Sequence, residues 1–210
     1  MVVDEVAEII TMPDYEACVS DTNPDTSAPT VSDVAMKQLH DYVAVIARLY
    51  RNNPFHNFEH ASHVTMSVSK LLSRIVAPRE EQGDEKSQEA FLHDHTYGIT
   101  SDPLTQFAVV LSALIHDVDH RGVPNFVLCK EDLNLAAVYR EKSVAEQNSV
   151  DLAWNALMDP TFDDLRRCIY GDESEMKRFR QLLVNSVMAT DIFDKELGIL
   201  RKKRWDKAFQ

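Results

Sequence analysis

Few residues in this chain favour sharp turns or covalent staples. Five glycines among 210 residues leave little material for the hairpins of a sheet-rich protein. Cys18, Cys129 and Cys168 are isolated, odd in number and in no CxxC spacing. They indicate neither a disulfide framework nor a Cys-type zinc site, and a reducing compartment fits them best. No apolar run approaches the length that spans a bilayer, and Asp4, Glu5 and Glu8 make the N-terminus wrong for a signal or transit peptide. Positive charge is also short: 22 Lys and Arg against 34 Asp and Glu give a net charge of −12. That balance excludes a protein that binds nucleic acid by blanketing its phosphates. A small anionic substrate would need local compensation, which bound cations can supply. The expectation is a soluble, cytoplasmic domain with no membrane segment in this chain, from a parent protein that could itself be membrane-anchored.

What is present is a core. At 44% hydrophobic residues the chain can fill the interior of one domain, and general disorder is excluded. Residues 11–33, rich in Pro, Ser, Thr and Asp, read as linker, so residues 1–31 are expected to be a leader and the folded domain to run over 32–210. From Ser32 onward, Val34, Leu39, Val43, Ile46 and Leu49 recur at mostly helical spacing, and Val64, Val68, Leu71, Leu72 and Ile75 repeat the pattern. A charged stretch after them reads as a long surface loop with one helical turn. Asp102 then caps a helix with Pro103 at its first position, and the run LTQFAVVLSALI is apolar nearly all round, as a central buried helix requires. Ser143 and Glu146 have capping-box spacing ahead of a helix that stops at Asp159-Pro160. Met176, Phe179, Leu182, Leu183 and Val187 mark another helix, and a last segment follows Ile192. Period-2 alternation is absent, so the predicted fold is all-α.

Two segments concentrate metal-ligand residues, His56 to His60 and His116 to His120. In each, two histidines lie four apart, which on a helix would aim both rings into one volume. The second pair follows the most apolar helix, where Asp117 and Asp119 would be costly unless paired or metal-bound. Mixed His and Asp donors suit zinc, manganese, iron or magnesium, and two ions could share the carboxylate of Asp117. His40, His63, His93 and His95 lack such a setting and read as surface or internally satisfied residues.

Phe55-His56-Asn57-x-x-His60-Ala61, followed by a helical stripe and then by His116-Asp117-Val118-Asp119-His120-x-Gly122-Val123-x-Asn125, resembles the first two signatures of class I cyclic-nucleotide phosphodiesterases. These form a branch of the HD-domain phosphohydrolases, and the resemblance runs from about Val34 to Asp191. It implies a compact multi-helix domain that hydrolyses cAMP or cGMP to the 5′-monophosphate with two divalent ions, Zn2+ plus Mg2+ or Mn2+. On that resemblance His60, His116 and Asp117 match metal ligands, and His56 matches the general acid for the leaving O3′. His120 matches a residue beside the second ion, Glu146 one that supports the acid, and Asn125, Thr190 and Asp191 polar groups behind the metals. Gln147-Asn148-Ser149 departs from the Asn-His-His common after that Glu, Phe55 replaces the common Tyr, and His63 a common Asp. The family's remaining metal-ligating Asp and its Gln and aromatic base clamp have no counterpart before Gln210, so a domain lacking its C-terminal helices is expected. The resemblance also admits fused sensor or cyclase domains and a homodimer. The alternatives are a non-catalytic remnant of such a domain, or another HD-type nucleotide phosphohydrolase, which would lack the Gly122-Val123-x-Asn125 extension.

Overall fold

A computed structural model of the chain describes residues 2–6, 10, 12–15, 31–76, 85–96 and 98–208. Among the described residues every regular element is a helix. They are α1 (Val2–Glu5), α2 (Asp33–Leu49), α3 (Phe58–Val76), α4 (Glu85–His95), α5 (Pro103–Ile115), α6 (Asn125–Glu131), α7 (Leu133–Val138), α8 (Val144–Leu157), α9 (Asp163–Ile169), α10 (Glu173–Met188) and α11 (Lys195–Ala208), with a short 3-10 turn at Pro160–Phe162.

The apolar run expected to be central is α5. Asp102 caps it by accepting the Leu104 N–H, and Leu104, Ala108, Leu111, Leu114 and Ile115 are all buried. Each large aliphatic side chain withdrawn from water in this way contributes roughly 1.5–3 kcal/mol. The helix packs against α3 on one side and α10 on another. Helix α2, capped by Ser32, buries Tyr42 and Ile46. The Tyr42 hydroxyl donates to the Ala153 carbonyl of α8 at 3.0 Å. Just past α2, the Tyr50 hydroxyl donates to the Leu114 carbonyl at 2.7 Å, satisfying one of the open carbonyls at the end of α5. That bond brings the segment after Tyr50, which carries His56, against the end of α5, which carries His116.

Several expectations are corrected. The charged stretch before α5 contains an eleven-residue helix, α4, in place of a single turn; its Glu, Lys, Gln, Ala and Leu are good helix formers. His93 on α4 proves to be internally satisfied: it is 1% exposed, and its Nε2 and Nδ1 lie 2.9 and 2.5 Å from the Pro13 carbonyl and the Ser101 hydroxyl. Within the expected leader, Val2 and Val6 are buried in the core cluster, and Glu5 forms a paired ion contact with Arg180 of α10 at 2.7 and 2.8 Å. The Pro/Ser/Thr-rich remainder, residues 16–30, lies outside the described residues. Ser143 does not make the capping box. Its φ is +38°, away from the extended backbone typical of a capping residue, and its hydroxyl makes no cap bond and is buried without a partner. Helix α8 does end where Asp159-Pro160 predicts, with Arg166 donating to the terminal carbonyls of Leu157 and Asp159 at 2.7 Å each. On α3 the apolar stripe is only partly covered: Leu71 and Ile75 are exposed.

Candidate metal centre

His116 is the residue at which α5 ends, and the chain turns immediately beyond it. Val118 points into the core at 0% exposure, and its carbonyl accepts the buried Ser149 hydroxyl at 2.7 Å. Asp119 takes φ +60° and Gly122 φ +77°, the conformation that glycine adopts without strain. Of the two carboxylates expected to be costly here, Asp119 is paired with Arg51 at 2.6 Å and accepts from Asn148 at 3.1 Å. Asp117 alone turns toward the histidines.

The other histidines come from the segment that Tyr50 anchors. His60 lies in the first turn of α3, where its N–H donates to the Asn57 side chain at 2.9 Å. His56 lies before that helix, in an irregular stretch. Neither four-residue pair therefore sits on one helix as expected, because one begins before α3 and the other follows the end of α5. The rings pair across the segments: His56 stacks on His120 with centroids 3.8 Å apart, and His60 approaches His116 at 5.5 Å.

Around Asp117 the distances are short. Its Oδ2 lies 2.7 Å from His56 Nδ1, 3.1 Å from His116 Nε2 and 3.7 Å from His60 Nε2. One donor atom from each of His60, His116 and Asp117 falls within 4.8 Å of the others, as does a second set from His56, Asp117 and His120. Donors around a tetrahedral zinc stand about 3.4 Å apart, given Zn–N and Zn–O bonds near 2.0–2.1 Å. In the first set the His116 and His60 nitrogens, 3.1 and 3.7 Å from Asp117, bracket that spacing. His116 is also oriented for it: Nδ1 donates to the Ala113 carbonyl at 3.0 Å and leaves Nε2 facing the cluster.

The electrostatics fit a cation site. Burial works to raise the Asp117 carboxyl, but hydrogen bonds and charge from His116 and then His56 outweigh it and bring it down to about 2. Burial works to lower His116, but Asp117 outweighs it and the ring is held above its ordinary value. A proton on His116 Nε2 occupies the place an ion would take, so metal binding at this set releases it. His60 and His120 are lowered, in each case first by burial. A lowered ring favours the neutral form that ligates metals.

Behind the cluster, Asn125 Nδ2 donates to Glu146 Oε2 at 2.8 Å and Asp191 Oδ2 at 3.2 Å. Its Oδ1 accepts the Ala145 N–H at 2.9 Å. Glu146 is raised above the usual carboxylate range, mainly by burial. Asp191 also accepts the N–H groups of Phe193 and Asp194. Thr190 is exposed, and its hydroxyl donates to the Val187 carbonyl at 2.7 Å at the end of α10. The departures at Gln147 and Asn148 have partners of their own. Gln147 bonds the carbonyls of Tyr139 and Lys142 and accepts the Val3 N–H, while Asn148 reaches Asp119. Asn53 and Arg51, which tie the two histidine segments together, escaped the sequence reading, since a lone Asn or Arg in a loop carries no spacing signal.

Among the described residues an all-helical framework gathers two histidines and an aspartate at the end of its central helix, with further histidines and carboxylates around them, a donor set of the kind that could hold a divalent ion. Residues 55–197 match the family model of the 3′5′-cyclic nucleotide phosphodiesterases, and the chain belongs to that family. The chain is 29% identical over 184 residues to the cGMP-inhibited 3′,5′-cyclic phosphodiesterase 3A of Homo sapiens, covering 76% of this chain and 16% of that protein. It is 29% identical over 168 residues to the "Probable 3′,5′-cyclic-AMP phosphodiesterase pde-4" of Caenorhabditis elegans, with 80% and 21% covered. The cGMP-specific 3′,5′-cGMP phosphodiesterase 3 of Dictyostelium discoideum is 25% identical over 166 residues, with 79% and 30% covered. The chain thus spans less than a third of the length of each. Among the described residues no helix is long and apolar enough to cross a membrane.

Proposed function

We propose that this chain carries the metal-binding part of a 3′,5′-cyclic-nucleotide phosphodiesterase, hydrolysing cAMP or cGMP to the 5′-monophosphate in signal transduction. The observation that carries the reading is His56 held 2.7 Å from Asp117, which also completes the donor set of His60 and His116. Divalent ions bound there, Zn2+ with Mg2+ or Mn2+, would supply an activated water and neutralise charge on the phosphoryl oxygens. His56 is the general acid: its Nδ1 faces Asp117 at 2.7 Å, which orients the ring and leaves Nε2 to deliver the proton to the departing O3′. His120 restrains that ring by stacking on it. Asn125 fixes Glu146 and Asp191 behind the site, and Thr190 next to Asp191 is assigned a supporting polar role on the family resemblance alone.

Residues 32–210 are read as part of the catalytic domain, with residues 2–6 of the leader docked on its core. The cytoplasm, which suits the free thiols, is the proposed compartment. Fused sensor or cyclase domains and a homodimer belong to the same proposal for a parent protein.

The experiment is hydrolysis of cAMP and of cGMP by chelator-stripped chain, with and without added zinc and magnesium, resolving the 5′- and 3′-monophosphates. The expected result is 5′-monophosphate formed only when metal is restored. Hydrolysis indifferent to the chelator, or 3′-monophosphate as the product, would overturn the reading.

A further inference from the structure

The side chain of Asn53 stands between the two histidine segments and bonds to both. Its Nδ2 donates to the His56 carbonyl at 2.8 Å and to the His120 carbonyl at 3.0 Å. Its Oδ1 accepts the Phe55 N–H at 3.1 Å. The amide can stand only this way round, because both carbonyls accept and the N–H donates. Its backbone is tied in as well: the Asn53 carbonyl accepts from Asn57 Nδ2 at 3.0 Å, and Asn57 in turn accepts the His60 N–H. On its other flank the side chain lies against Gly122, where an added Cβ would stand 3.8 Å from Asn53 Cβ. One amide therefore sets the separation of the two residues whose rings stack at 3.8 Å.

We propose that Asn53 is a positioning residue: by bridging the His56 and His120 carbonyls it holds the two imidazoles in register and aims His56 at the leaving oxygen. The rate consequence rests on the catalytic reading above, whereas the stacking consequence does not. His60, His116 and Asp117 receive no hydrogen bond from the Asn53 side chain, so its loss should leave the metal set in place. Asn53→Asp keeps the side-chain volume and the Oδ1 acceptor but removes both donated bonds and sets a carboxylate oxygen against two carbonyls. Asn53→Ala removes all three bonds.

The test pairs a spectroscopic readout with a kinetic one on the full chain. In proton NMR of the metal-free chain at one fixed pH, ring stacking shifts the His56 and His120 ring protons upfield. Both variants should lose that shift while His116 keeps its resonance position, and Asn53→Asp serves if Asn53→Ala does not fold. With zinc and magnesium present, kcat should fall about 10–100-fold, the range that outer-sphere partners command, with KM and zinc affinity nearly unchanged. Combining Asn53→Asp with His56→Ala should then be no slower than His56→Ala alone. Retention of the upfield shift in both variants, or losses that multiply in the double variant, would overturn the proposal. If the shift depends on Asn53 in a chain that hydrolyses neither nucleotide, the positioning stands and the catalytic reading falls.

Discussion

The two ring nitrogens of His56 face different tasks. Nδ1 lies 2.7 Å from Asp117, and the proposed role as general acid falls to Nε2. A proton donor matters in proportion to how poor the leaving group is, which separates His56 from the proposed metal ligands experimentally. On cAMP, His56→Ala should lower kcat by about 10²–10⁴-fold, the usual worth of a positioned acid. On a nitrophenyl phosphodiester, whose phenolate departs without a proton, the same variant should lose less than about tenfold. Equal losses on both substrates, in a comparison of initial rates at saturating metal, would mean that His56 acts on the metals or on binding rather than as an acid. Much at this scale was legible: His60, His116 and Asp117 stand out because ligand-type residues recur at short spacing beside an apolar helix. What spacing could not give was which rings meet. His56 meets His120, and His60 meets His116, because the segments cross in space after the helix ends. Nor could it give Asn53, or the positive φ of Ser143 that removes an apparent capping box.

At the scale of the element, the site depends on where α5 stops and on what holds its start. Asp102 accepts the Leu104 N–H at 3.2 Å and the Thr105 hydroxyl, and it pairs with Arg178 of α10 while itself only 3% exposed. One carboxylate thus caps the central helix and locks it to a neighbour. Asp102→Ala should lower stability by about 3 kcal/mol, since it removes the cap and leaves a largely buried guanidinium without its partner. Asp102→Asn, which can still cap, should cost less. Urea unfolding followed by circular dichroism measures both, and a loss under about 0.5 kcal/mol for the alanine variant would show that α5 is held elsewhere. The helix itself was readable, since Asp-Pro followed by an apolar run signals both its start and its burial. Helix α4 was obscured by the surrounding charge, and the docking of α1 by the linker-like composition that follows it. In both cases tertiary partners decide, Pro13 for His93 and Arg180 for Glu5.

The whole molecule sets one further condition. A chain with net charge −12 attracts divalent cations everywhere, so binding of metal is by itself weak evidence for a built site. The account requires that one set, assembled from α3 and the end of α5, bind far more tightly than the acidic surface does. All-α architecture could be read from the sequence, but the convergence of residues near position 56 with residues near position 116 could not. It depends on contacts such as Tyr50 to Leu114 that no local pattern announces. The most direct measurement is zinc affinity, by competition with a chromophoric chelator, for the wild-type chain and for His60→Ala, His116→Ala and Asp117→Ala in turn. The account predicts one tight site that each substitution weakens by more than the about 10–100-fold typical of outer partners, with net folding retained. Wild-type affinity equal to that of the three variants would mean that zinc is held diffusely by surface carboxylates, and would contradict the metal centre on which the function rests.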